Sequence, residues 1–141
     1  MNKLIKVILL FVVLIGFQSC DSSQKQIGEN YFVRWINGPE TMCIGFGTED
    51  GNEGIVKETI YEVKWNTEYI IAKRHPLEAP GVEGINRDIT EYYILKKVKF
   101  GEAKASENMF GPLIEEEFKV KRDNLGLIED EMESMIFDDL K

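Results

Sequence analysis

Between Tyr31 and Phe100 apolar residues recur with a period of two, in short runs separated by turn-forming residues. This feature constrains the fold most. Period two sends alternate side chains to opposite faces of a strand, and short connections favour antiparallel neighbours over βαβ units. Tyr31–Ile36 is aromatic and β-branched and stops at Asn37-Gly38-Pro39, a turn signal. Met42 to Gly47 places Met42, Ile44 and Phe46 on one face, and the polar stretch from Thr48 to Gly54 is predicted to be a loop. Ile55 to Trp65 reads as one strand. Thr59, Tyr61, Val63 and Trp65 share a side, Glu58, Glu62 and Lys64 lie opposite, and Ile60 breaks the alternation. After a turn at Asn66-Thr67, Tyr69–Ala72 is apolar on both faces, as a central strand requires. Residues 75–89, with Pro76, Pro80, Gly81 and Gly84, read as a long loop. Thr90–Phe100 is the last long strand: Tyr92, Ile94, Val98 and Phe100 face one way, Tyr93 and Leu95 the other.

The period then changes to that of a helix. Ile114, Phe118 and Leu125 form one stripe, Pro112 suits a first turn, and Asn124-Leu125-Gly126 supplies a stop. Glu115–Lys119 and Glu117–Lys121 are four apart in the favourable order. From 127 onward the chain is acidic and fits either a second helix or a short edge strand over Ser134–Phe137. The predicted class is α+β, a mainly antiparallel sheet of about five strands with one C-terminal helix on a face.

The first twenty residues follow different rules. Lys3 and Lys6 precede Val7–Phe17, an uncharged run of eleven residues, and Phe17-Gln18-Ser19 leads to Cys20. Such a run suits an export signal and falls short of the roughly 20 residues that span a bilayer. The pattern predicts a lipoprotein: residues 1–19 removed, Cys20 lipidated, residues 20–29 a polar tether, a domain over 30–126 and an acidic tail over 127–141. Loss of 1–19 removes two lysines and no acid, which takes the formal net charge from −8 to −10. So acidic a chain lacks the basic face that nucleic acid demands. Its expected association with the membrane is through the N-terminal lipid. With Cys20 committed to lipid, Cys43 has no disulfide partner and is predicted to be buried and inert.

Four segments carry a family resemblance. They are Ile70-Ile71-Ala72-Lys73-Arg74-His75-Pro76, Glu91-Tyr92-Tyr93-Ile94-Leu95, the run from Phe110 to Phe118 (FGPLIEEEF) and that from Lys121 to Leu127 (KRDNLGL). Their order and spacing over 54–127 resemble a family of small bacterial lipoproteins known only as a domain of unknown function. The resemblance implies secretion, lipidation and a small mixed fold, and it assigns no functional residue.

Catalytic chemistry finds little support. His75 is the single imidazole, and no nucleophile motif accompanies it. It is expected to bond to backbone or pack beside Tyr92 or Tyr93. One His and one unlipidated Cys do not make a zinc site, and the acidic Glu49–Glu53 segment lacks calcium-loop spacing. No catalytic residue, metal or cofactor is expected. Lys73, Arg74 and His75 form a rare basic run and are the candidate partner contact. The expected function is a non-enzymatic, lipid-anchored binding module of the cell envelope that meets an envelope or secreted protein. The alternative is an inhibitor or immunity-type lipoprotein against a basic secreted enzyme or toxin.

Overall fold

The computed structural model describes residues 22–36, 38–48, 51–80 and 84–141. The lipidation position Cys20 lies outside them. Among the described residues, one sheet takes the order β1 (Ser22–Gln26), β2 (Tyr31–Ile36), β3 (Cys43–Thr48) and β4 (Gly51–Val56). The second runs β8 (Met109–Leu113), β7 (Glu91–Lys96), β6 (Tyr69–Arg74), β5 (Ile60–Trp65) and β9 (Glu133–Ile136). Every pairing is antiparallel. Among the described residues one α-helix, α1 (Glu115–Asn124), packs on the second sheet.

The class is α+β as expected, but strands are more numerous and divide into two sheets. The inner face of the first sheet (Tyr31, Val33, Ile44, Phe46) meets Val63, Trp65, Ile70, Ala72 and Leu95 of the second in one core. A smaller core lies on the far side, where Ile71 and Ile94 receive Phe118 of α1 with Leu127 and Met132. β6 is central and covered on both faces, which explains its unbroken apolar run.

Several local expectations need correction. The segment read as a tether contains β1, which pairs with β2 from Ser22↔Ile36 to Gln26↔Phe32. Within the polar stretch before Ile55, Thr48 ends β3 and residues 51–54 belong to β4, and the single strand over 55–65 is two, divided at Thr59, whose φ is +73°. The alternation breaks at Ile60 because a register shift between Ile60 and Glu62 turns both Ile60 and Val63 into the core. Pro112 sits in β8, an edge strand where its missing N–H is tolerated, and the helix begins at Glu115. Gly111 before it has φ +142°, and a Cβ there would lie 2.6 Å from the Tyr93 ring. Ile114 is 60% exposed, so it leaves the apolar stripe, while Phe118 is buried. Val98 and Phe100 lie beyond β7. Val98 packs against the inter-sheet core and Phe100 stacks 6.3 Å from Phe46.

Other expectations stand. Gly126 ends α1 with φ +66°, the Gly126 N–H reaching Asp123 O at 3.0 Å and the Leu127 N–H reaching Arg122 O at 3.1 Å. That bond pair is the glycine-terminated stop read from sequence. The tail adopts the strand alternative: β9 pairs with β5 from Glu62↔Ile136 to Trp65↔Glu133.

Candidate functional site

The basic run does not form one surface. Alternation along β6 sends Lys73 to the helix side, where it meets Glu62 at 3.1 Å and Glu129 at 3.2 Å. Arg74 is 7% exposed and lies 3.1 Å from Glu91. His75 is 6% exposed, stacks on Tyr61 with ring centroids 4.6 Å apart, and places Nδ1 2.8 Å from Ile89 O. The expected backbone bond is present, but its aromatic partner is Tyr61 rather than Tyr92 or Tyr93. Cys43 is half-buried and lies across from Arg34 on the outer face of the first sheet, so it is less enclosed than expected. Glu49 and Asp50 lie outside the described residues. Among the described residues no three His, Cys, Asp or Glu side chains converge as metal ligands.

Lys73 belongs to an ion cluster that joins sheet, helix and tail. Glu129 lies 3.3 Å from Lys64, 3.2 Å from Lys73 and 3.0 Å from Arg122. Glu62 closes the set, 3.5 Å from Lys64 and 3.1 Å from Lys73. Burial opposes charge on Glu129, but the Arg122 bond and the two lysines outweigh it and hold its carboxyl below the usual range. Burial likewise opposes charge on Lys73, and the hydrogen bonds and charges of Glu62 and Glu129 win, raising its pKa. On the other face, burial and then a 2.8 Å hydrogen bond to Glu91 push the Tyr93 hydroxyl up to about 12. Around Glu129 each charged group faces an opposite charge, which marks a structural role for that cluster.

A more extensive concavity lies elsewhere. A groove of about 910 Å³ opens at one end of the sandwich, where residues 25–31, 65–68, 96–102 and the tail meet. Trp65 and Tyr31, both buried, form its base, and the Lys25 ammonium sits 5.2 Å from the Trp65 ring centroid. Lys97 ties the two sheets together, donating to Ile27 O at 2.5 Å and to Asn66 O at 2.6 Å. Burial depresses its pKa, while Glu133 pulls the other way. The Tyr31 hydroxyl accepts the Val98 N–H at 3.1 Å. Lys25, Lys96 and Lys99 share the rim with Glu29, Glu68, Glu102, Glu131 and Glu133.

A wall of both charges over an aromatic base suits a polypeptide segment, with its own mixed charges and amides. No imidazole lines the groove. Sequence reading missed Lys97 and Trp65 because four segments distant in the chain assemble the groove. The Lys96-Lys97 pair that follows the apolar Tyr92–Leu95 run was the only local signal.

The family whose model matches is described as protein of unknown function (DUF3997), over residues 28–134. The chain belongs to that family. The match extends the four-segment resemblance back to the β1–β2 turn and forward into β9. It therefore covers nearly the whole sandwich, α1 and most of the groove wall. No curated protein and no solved structure matches the chain.

Proposed function

We propose that this DUF3997 protein is a lipid-anchored, non-enzymatic binding module of the bacterial cell envelope, and that its sandwich-end groove takes a segment of an envelope or secreted partner protein. The Met1–Cys20 sequence, a positive start, an apolar run and a cysteine, carries this proposal. Two or more acyl chains hold a protein stably at a bilayer. The groove supplies the binding surface, with buried aromatics inside and a charged rim outside, the usual layering of a recognition site.

Two measurements test the two halves. Palmitate labelling in a bacterial host is expected to mark the native chain and not a Cys20→Ser variant; equal labelling would refute lipidation at Cys20. A photo-crosslinker at Thr67, on the groove wall, is expected to capture one discrete partner, and Trp65→Ala to weaken that capture. A Thr67 probe that captures nothing in intact cells would remove the binding role.

The second reading, an inhibitor or immunity-type lipoprotein, draws on the net charge, −10 once residues 1–19 are removed, and the exposed acids Asp130, Glu131 and Glu133. It calls for a basic partner whose affinity falls steeply with salt, whereas the mixed rim of the groove calls for weaker salt dependence.

A further inference from the structure

The chain leaves little slack between the proposed lipid and the folded domain. β1 begins at Ser22, and only Asp21 separates it from Cys20. Two residues span at most about 7 Å. An anchor at Cys20 therefore draws one particular end of the first sheet to the bilayer, the end where Ser22 pairs with Ile36.

The surface at that end is unlike the rest of the chain. Ile36 is 48% exposed. Beside it a shallow depression of about 270 Å³ is lined by Ser23, Gln24, Arg34, Trp35 and Ile36. Among the described residues of this lining none is acidic. The half-buried Trp35 packs 6.0 Å from Phe137, and Thr41 fixes the end of the strand by accepting the Ile36 N–H at 2.7 Å. An exposed Ile, a Trp and an Arg suit the headgroup zone. Amphipathic rings settle there, and a guanidinium bonds to phosphate. Glu40 and Asp138, exposed in the adjoining turns, select zwitterionic over anionic lipid.

We infer that the Ser22/Ile36 end of the first sheet is a membrane-contact surface, seated on zwitterionic headgroups, and that the domain rides directly on the bilayer instead of at the end of a tether. This rests on lipidation at Cys20. It also sets the direction of the groove. Gln26 and Ile27, at the other end of β1 and just beyond it, line the groove, so the groove opens away from the membrane toward soluble partners.

The test uses the full chain purified from bacterial membranes, its acylated mass checked first, in a Cys43→Ala background. An environment-sensitive fluorophore is placed at Ile36→Cys or, as the groove-end control, at Glu102→Cys. Each protein is reconstituted into phosphatidylcholine vesicles carrying a headgroup-attached nitroxide lipid. The label at 36 is expected to shift to the blue and be quenched, and the label at 102 to keep its aqueous emission. In a Cys20→Ser chain the label at 36 is expected to keep its aqueous emission too. A lipidated chain in which the label at 36 is unquenched, or both labels are quenched alike, overturns the contact surface and leaves the anchor standing. A mass without acyl groups overturns both.

Discussion

Glu129 touches three cations, Lys64, Lys73 and Arg122, with its side chain only 15% exposed. Removing its charge strands those cations in a poorly hydrated place. Glu129→Gln is expected to lower unfolding free energy by about 1–3 kcal/mol, read as a reduced urea midpoint; an unchanged midpoint would mean the cluster is energetically idle. Because folding lowers the Glu129 pKa, the unfolded chain takes up the proton first as pH falls. The contribution is therefore complete above the ordinary carboxylate value of 4.5 and is lost as pH drops below it. Lys73 behaves in the opposite sense: its raised pKa keeps its contribution complete below 10.5 and loses it as pH climbs through the folded value. The acid limb of stability should flatten in Glu129→Gln, and a limb identical to the native protein's would assign acid sensitivity to other carboxylates. Thr59 is a second informative residue. Its left-handed backbone carries a steric cost of about 1–2 kcal/mol, while its single hydroxyl proton is shared between the carbonyl oxygens of His75 and Glu58. Thr59→Ala keeps the strain and loses the bonds, whereas Thr59→Gly loses the bonds and relieves the strain. The alanine variant is expected to melt lower than the glycine variant, and the reverse order would refute this division.

At the scale of elements, α1 is held mainly through Phe118, which is 2% exposed and stacks 4.7 Å from Tyr92. Phe118→Ala is expected to cost about 3–5 kcal/mol by calorimetry or denaturant titration; a loss below 1 kcal/mol would show the helix to be an ornament on the sheet. The tail is expected to be integral. Deleting 129–141 strips β9 from β5, removes the buried Met132 and Leu140, and dissolves the ion cluster. Loss of the cooperative unfolding transition is the expected outcome, and a native-like transition would make the tail dispensable. Elements covered on both faces, or striped at helical spacing, were legible in the sequence. β6 announced itself by its apolar run and α1 by Phe118 and the stop at Gly126. Elements held by backbone pairing were not. β1 is Ser-Ser-Gln-Lys-Gln and β4 begins Gly-Asn-Glu-Gly, so neither shows an apolar period. The register shift after Ile60 hid the break between β4 and β5, because a single extra residue exchanges the two faces. The candidate site was less legible still. Lys73, Arg74 and His75 are contiguous in sequence, but a strand sends neighbours to opposite faces, whereas Lys97, Ile27 and Asn66 are distant in sequence and meet.

For the whole molecule, a sandwich of two sheets braced by one helix leaves two ends free, and β1 runs between them. Its Ser22 end adjoins the proposed anchor, and just beyond its Gln26 end lies the groove. The proposed anchoring and recognition would thereby be separated along one axis of the DUF3997 fold. Among the described residues no helix is long and apolar enough to cross a membrane. The proposed hold is acyl chains at Cys20. Intact mass spectrometry of the protein extracted from its native membrane tests that claim most directly. The expected product is a chain that begins at Cys20 and carries acyl groups there; a chain that begins elsewhere, or shows a free thiol at position 20, would refute lipid anchoring at this residue.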